Sequence, residues 1–244
     1  MAVTQSEIGE AKPAAAGLFP STLWSVVSGA VAAEPAHAEE ALARLCELYR
    51  EPILRWFRRA GLSAEDAQDE SQAFLARHFA GQRLSHFERR EARFRSWLLT
   101  CLRRQLADRI RRIRGEEVPL DSPDAPEFPA SESSVALDLD RDVARAIHDR
   151  VLARLLSGWA TSSPEVGRQL ALLLFSDVQA GAYEALAPGL GMAPRELKRR
   201  VFEFRNDYAV AFHAEVRQIA LPGDDEAEMR HLLALVPRSP DSPT

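Results

Sequence analysis

An arginine-rich segment that contains one tryptophan carries the side chains best suited to chemistry in this sequence. Residues 94–113 read FRSWLLTCLRRQLADRIRRI. At 100° per residue the apolar positions form one stripe, which predicts an amphipathic helix, with Leu98, Leu99, Leu102, Leu106, Ile110 and Ile113 facing a core. Trp97 falls on the opposite face, in line with Arg104 and Arg111. An aromatic ring flanked by guanidinium groups can stack on an unpaired base while the charges hold phosphates.

The distribution of charge supports a nucleic-acid surface in this segment. Residues 83–114 contain eleven arginines and three acidic residues, a net charge of +8, whereas the whole chain has a formal net charge of −5. The basic charge is therefore concentrated in one stripe of an acidic protein. A solvated helix in a chain that prefers arginine to lysine is the other interpretation, since the sequence has only two lysines. A tryptophan on the wet face favours binding, because so large a ring is seldom left there without a use.

Length and composition limit the protein class. A chain of 244 residues that is 46% hydrophobic suits one or two domains with proper cores. We find no signal peptide and no apolar run near the ~20 residues of a membrane span, so a cytoplasmic location is expected. Cys46 and Cys101 lack metal-type spacing and are predicted to be reduced.

Helical periodicity recurs along almost the entire chain, which predicts an all-α fold. A first helix is expected from Ser21 or Thr22, and a second from about residue 38 that Pro52 interrupts or restarts before it stops at Gly61. Ser63 is expected to cap the next helix, which continues to about residue 80.

Composition divides the chain into two small helical domains joined by a flexible linker. Residues 115–137 are rich in proline and in acidic side chains and are predicted to be that linker. The domains are assigned to residues 19–114 and 138–220, preceded by a disordered N-terminus at 1–18. Residues 221–244 form a tail whose stretch 224–236 is predicted to be a short helix, either docked on the second domain or free to bind a regulator.

The second domain ends in a helix, a glycine-containing turn and a long helix that Pro194 opens. The long helix has one apolar stripe, formed by Leu197, Val201, Phe204, Tyr208, Phe212, Val216 and Ile219. Its first turns carry Arg195, Lys198 and Arg199, which in a helix-turn-helix would face the major groove and phosphates. Helical hairpins with glycine turns are also common without any DNA-binding role.

The order of these parts resembles a bacterial sigma factor of the extracytoplasmic-function (ECF) group over about residues 19–220. Residues 18–27 resemble the opening of one subgroup, and residues 63–77 are similar to the helix that binds the clamp of RNA polymerase. Residues 94–112 look like the promoter-melting and downstream-element helix, and residues 183–208 like the domain that reads the upstream promoter element.

The resemblance implies core RNA polymerase and promoter DNA as partners, with an anti-sigma or other regulatory protein as a further one, and neither a cofactor nor catalysis. It assigns promoter opening and downstream-element binding to Arg93, Phe94, Arg95, Trp97, Arg103, Arg104 and Arg111. It assigns upstream-element binding to Arg195, Lys198, Arg199 and Arg205. It assigns polymerase binding to Glu65, Asp66, Asp69, Gln72 and Phe74.

Several positions depart from the family pattern. Glu70 stands where the clamp-binding helix usually has an apolar residue, Ala73 where it has a glutamate, and Pro188 interrupts the first helix of the reading motif. A sigma-like regulator that binds DNA or protein without supporting initiation is therefore one alternative. A helical metal-dependent enzyme is another, since Glu-x-x-His spacing occurs at residues 34–37 and 228–231.

Overall fold

The computed structural model describes residues 35–79, 94–115, 132–159, 164–176, 181–220 and 225–237. They form the helices α1 (Pro35–Arg59), α2 (Ala64–His78), α3 (Phe94–Arg114), α4 (Glu132–Trp159), α5 (Pro164–Leu172), α6 (Ala182–Leu186), α7 (Pro194–Ile219) and α8 (Asp225–Leu235), with a 3-10 turn at Pro188–Leu190. These ranges contain no strand, and the all-α prediction is confirmed for them. The predicted disordered N-terminus and the helix expected from Ser21 or Thr22 lie outside the described residues.

Helix α1 runs without a break through Pro52, so the predicted interruption there is wrong. A proline inside a helix removes one backbone hydrogen bond and costs ~3 kcal/mol. Burial of Tyr49 and Ile53 on either side of it offsets that cost, because both pack in the core. The predicted end at Gly61 is confirmed, since the chain turns there with a φ of 92° that favours glycine.

Helix α2 begins as its sequence predicts. The Ser63 hydroxyl oxygen accepts a hydrogen bond from the Asp66 backbone N–H at 3.1 Å, and the hydroxyl donates to the Asp66 carboxylate at 2.8 Å. This cap satisfies one of the amides that have no partner within the first turn of a helix.

Helix α3 packs through the predicted stripe except at its C-terminal end. Leu98, Leu102 and Leu106 are buried, whereas Ile113 is 72% exposed, contrary to the prediction. Periodicity places Ile113 on the core side, but no described helix covers the last turn of α3 there. Cys101 on α3 is buried, and both it and Cys46 are free thiols.

Helix α4 is the centre of the structure and contacts α1, α3, α5, α7 and α8. It begins at Glu132, so the last six residues assigned to the predicted linker, 132–137, are helical. Val135 and Ala136 pack against the core, which stabilises helix in this stretch despite its acidic composition. Residues 116–131 of the predicted linker lie outside the described residues.

Both halves of the sequence meet on α4. Its buried residues Leu139, Val143, Ile147 and Val151 belong to the same hydrophobic core as residues of α1 and α7. Asp142 on α4 also accepts two hydrogen bonds from Arg59 on α1. The division of the chain into two domains stays a prediction, because α4 packs against helices from both halves of the sequence and shares one hydrophobic core with them.

The C-terminal helices pack as their periodicity predicts. Every apolar position of the predicted α7 stripe is buried. Helix α8 docks on α4 and α7 through Leu232, which is buried. His231 Nε2 lies 2.7 Å from Asp140 Oδ2 on α4. Of the two fates considered for the tail, the structure shows docking for residues 225–237.

Candidate nucleic-acid interface

The arginines of α3 differ in how much charge they present. Arg104 is exposed, Arg103 and Arg111 are half-buried, and Arg111 Nη1 lies 4.0 Å from Asp108 Oδ1. Arg93 lies outside the described residues, and for Phe94 and Arg95 only the backbone is described, as the first turn of α3. The α3 surface therefore centres on Arg104 rather than on an even row of cations.

Trp97 was predicted to lie on the solvent-exposed face of α3, and this prediction is wrong. Its ring is half-buried and packs against the core. The His78 ring meets it edge to face at 6.0 Å between ring centroids, and His78 in turn lies 4.5 Å from the Phe74 ring. The C-terminal end of α2 covers the first turns of α3, and helical periodicity within α3 alone cannot show this neighbour.

Arg109 has a structural role that the sequence did not indicate. Its Nη1 donates to Glu70 Oε1 at 3.1 Å, and its Nη2 donates to the Asp66 carboxylate. Gln105 Nε2 donates to both the backbone oxygen and the carboxylate of Glu70, at 2.8 and 2.7 Å. Hydrogen bonds from Ser63 and then Arg109 hold the pKa of Asp66 below its usual range. This partly buried network holds α2 against α3. It also pairs Arg109 with carboxylates, so Arg109 adds little to the exposed positive charge.

Glu70 is explained by the same network. The side chain is buried, and Arg112 Nη2 lies 3.6 Å from Glu70 Oε1 in addition to the contacts from Gln105 and Arg109. A buried carboxylate requires such partners, because an uncompensated charge in a core is costly. Glu70 thus serves packing between α2 and α3.

The predicted polymerase-binding set on α2 separates into exposed and buried members. Glu65, Asp69 and Gln72 are exposed, while Asp66 is half-buried and bonded to Arg109. Phe74 is fully buried, with its ring 6.5 Å from that of Phe57 on α1, so its assignment to a partner surface is wrong. Its place in the apolar pattern of α2 is a signal for the core.

The first turns of α7 carry the second group of predicted DNA contacts. Arg195 and Lys198 are exposed and have no ion-pair partner in the part of the chain that the structure describes. Arg199 lies between Glu196 and Glu203, with N to O distances of 2.8 and 2.5 Å. Hydrogen bonds from Arg199 and Arg200 lower the pKa of Glu196 to about 2. Two of the basic side chains are thus neutralised locally, and two are available.

Arg205 does not belong to this surface. Its Nη2 donates to the backbone oxygens of Leu173 and Ser176, at 2.7 and 2.6 Å, and the side chain is half-buried. Both carbonyls lie just beyond the C-terminal end of α5, where helix carbonyls lack intrahelical donors. Its assignment to upstream-element binding is therefore wrong. The sequence carries no signal for it, because the acceptors are backbone atoms about 30 residues away.

One exposed aromatic residue of α7 escaped the sequence argument. Phe202 is 73% exposed, although its helix buries Val201 and Phe204 on either side of it. Its position off the apolar stripe would have indicated this from periodicity alone.

The alternative of a metal site finds little support in geometry. Within the described ranges, no three side chains of His, Cys, Asp or Glu are grouped as metal ligands. His231 of one Glu-x-x-His pair instead contacts Asp140, and Glu34 of the other lies outside the described residues.

Among the described helices we find no apolar stretch of the length that a bilayer crossing requires.

Two basic surfaces remain, one around Arg104 on α3 and one around Arg195 and Lys198 on α7. Phe74 and Arg205 do not belong to the candidate site, because Phe74 is buried in the core and Arg205 is hydrogen-bonded to backbone oxygens. Comparison with known protein families, with curated proteins and with solved structures gives no match to this chain.

Proposed function

We propose that this protein is a sigma factor of the ECF type, which binds core RNA polymerase and directs it to promoters in the cytoplasm. The proposal starts from four sequence segments that resemble this family in the family's own order. It assigns DNA binding to α3 and to a helix-turn-helix formed by α6 and α7, and it gives the protein no catalytic step of its own.

The observation that carries the proposal is the presence of two separate surfaces with uncompensated positive charge. Arg104 on α3, and Arg195 and Lys198 on α7, are exposed and have no ion-pair partner among the described residues. Arg109 and Arg199, by contrast, are each paired with carboxylates. Unpaired cations can neutralise DNA phosphates without first breaking an internal ion pair.

The exposed face of α2 supplies a surface for the polymerase in this proposal. Glu65, Asp69 and Gln72 point to solvent, while Glu70 and Phe74 hold the helix in the core. Rigid placement by the Glu70 network favours binding, because an ordered surface loses less conformational entropy on association.

Co-purification with core RNA polymerase followed by promoter-dependent transcription tests the proposal. A complex that initiates at defined promoters supports it, and no complex at low or moderate salt refutes it. Arg104→Glu should weaken DNA binding and reduce the salt slope by ~0.9 if one phosphate contact is lost. Arg44→Glu is the control, since Arg44 is an exposed arginine that belongs to α1 and not to α3 or α7.

The proposed role of Trp97 in promoter opening needs a control for packing, because the ring contacts His78 and the core. Trp97→Phe keeps an aromatic ring, and Trp97→Ala removes it. If the ring helps to hold an unstacked base, Trp97→Ala reduces initiation on duplex promoters more than on templates already opened by mismatches. An equal loss on both templates, together with lowered thermal stability, would assign Trp97 to packing alone.

A regulator that binds DNA or protein without supporting initiation is the second candidate. It is favoured by the local neutralisation of Arg199 and Arg200, which leaves the α7 surface with less positive charge. Binding to core polymerase separates the two candidates, since only the sigma factor requires it.

A further inference from the structure

The exposed face of α7 combines two cations with an aromatic ring. Arg195, Lys198 and Phe202 are spaced by three and four residues, which places them on one face of the helix. All three are exposed, and this face lies away from the stripe of Leu197 and Val201. At 1.5 Å per residue they span about 10 Å along the axis, comparable to three base-pair steps.

The acidic residues of the first turns of α7 do not compete with this face. Glu196 accepts hydrogen bonds from Arg199 and from Arg200, each with a shortest distance of 2.8 Å, and Glu203 accepts one from Arg199 at 2.5 Å. These pairs lie to one side of Phe202 and hold the carboxylates in place. The ring is therefore flanked by available positive charge rather than by carboxylates.

The chemistry of the ring selects its partner. Phenylalanine offers no hydrogen bond, and in the major groove the apolar group that it can contact is the C5-methyl of thymine. The side chains before it, Arg195 and Lys198, can contact phosphates or the acceptor edge of guanine. In a helix-turn-helix these N-terminal turns of the second helix are the ones that enter the groove.

We infer that Phe202 of α7 contacts a thymine methyl in the major groove, beside Arg195 and Lys198, and so sets a preference for thymine in the upstream promoter element. The inference rests on the proposed function and deepens it. A protein partner fits this face less well, because interface cores are depleted in charged residues and present contiguous apolar surface. Val210 is another exposed apolar residue of α7. Relative to Phe202, it is rotated by about 80° around the helix axis and lies about 12 Å further along it, so the two side chains do not form one contiguous apolar surface.

Selection from a random duplex library with the full chain, followed by titration of the selected duplex, tests the inference. Wild type should enrich thymine at one or two positions, and deoxyuridine there should weaken binding about fourfold, as expected for one lost methyl contact. Phe202→Ala should bind the thymine and deoxyuridine duplexes equally. Val210→Ala is the matched control and should discriminate as wild type does, since both changes shorten an exposed side chain of α7.

The outcomes separate this inference from the proposed function. If wild type binds polymerase and initiates, yet does not distinguish thymine from deoxyuridine, the inference is refuted and the proposed function stands. Discrimination that survives in Phe202→Ala also refutes it, as does a loss of polymerase binding in that variant with an unchanged thymine preference. A wild-type chain that binds neither polymerase nor DNA refutes the proposed function, and the inference falls with it.

Discussion

Replacing Arg59 by methionine should destabilise this protein more than replacing its partner Asp142 by asparagine. The two side chains join α1 to α4 through two hydrogen bonds of 2.5 and 2.9 Å. Arg55 Nη1 is the next cation, at 3.6 Å from Asp142 Oδ1. The side chain of Asp142 is 5% exposed, whereas that of Arg59 is 41% exposed.

This difference in burial determines how much unfolding free energy each of the two variants should lose. Loss of one partner from a buried ion pair costs ~3–5 kcal/mol, because the remaining charge stays uncompensated. Arg59→Met leaves the Asp142 carboxylate buried with only the longer contact from Arg55, so we expect a loss of about 2–4 kcal/mol. Asp142→Asn leaves a guanidinium that can turn to water, and its cost should lie near ~1 kcal/mol.

Urea unfolding at pH 7 measures both free energies, with the midpoint shifting at constant slope if only stability changes. The double variant Arg59→Met with Asp142→Leu should recover part of the loss, because neither charge is then left buried. Arg58→Met is the control: Arg58 is exposed, and its side chain donates a 3.4 Å hydrogen bond to the backbone oxygen of Leu62, so the effect of this change should stay within ~0.5 kcal/mol. An Asp142→Asn variant at least as unstable as Arg59→Met would refute the reasoning.

Three further predictions follow from the C-terminal half. Arg205→Met should cost ~1–3 kcal/mol in urea unfolding, because two backbone oxygens lose a charged donor, whereas the exposed Arg168→Met should change little. Burial lowers the pKa of His148, so the unfolded chain binds its proton first. Stability should therefore fall as pH drops from about 7 through the ordinary histidine value of ~6.5, and the unfolding midpoints of His148→Gln should vary less over this window. Leu232→Ala should cost ~2–5 kcal/mol by calorimetry or urea unfolding, since the side chain that docks α8 is fully buried; a cost below ~1 kcal/mol would indicate that α8 does not hold that position.

Features that depend on near neighbours in the sequence could be predicted closely. Helix α3 was expected over 94–113 and spans Phe94–Arg114, and the Ser63 cap forms at the start of α2. The α7 stripe is buried as periodicity requires. Caps, turns and amphipathic faces follow from interactions within about four residues, which the sequence displays directly.

Features that depend on packing between helices were predicted less well. The sequence predicted a break at Pro52 and a linker to residue 137, but core contacts keep α1 continuous and start α4 at Glu132. Trp97 was expected in water, and the end of α2 covers it. In each case a neighbour distant in sequence supplies contacts that outweigh the local preference.

The sequence by itself determined that this protein is helical, where its amphipathic faces lie, and that basic charge gathers around α3 and the start of α7. Only the tertiary structure decided which of those charges are available. Arg109 donates a hydrogen bond to the carboxylate of Glu70, 39 residues away, and Arg205 donates to backbone oxygens beyond α5. Arg104, by contrast, is exposed to solvent. The physical reason is that an ion pair or hydrogen bond between distant residues exists only once helices have packed and set their separation, whereas helical periodicity is a property of the local chain.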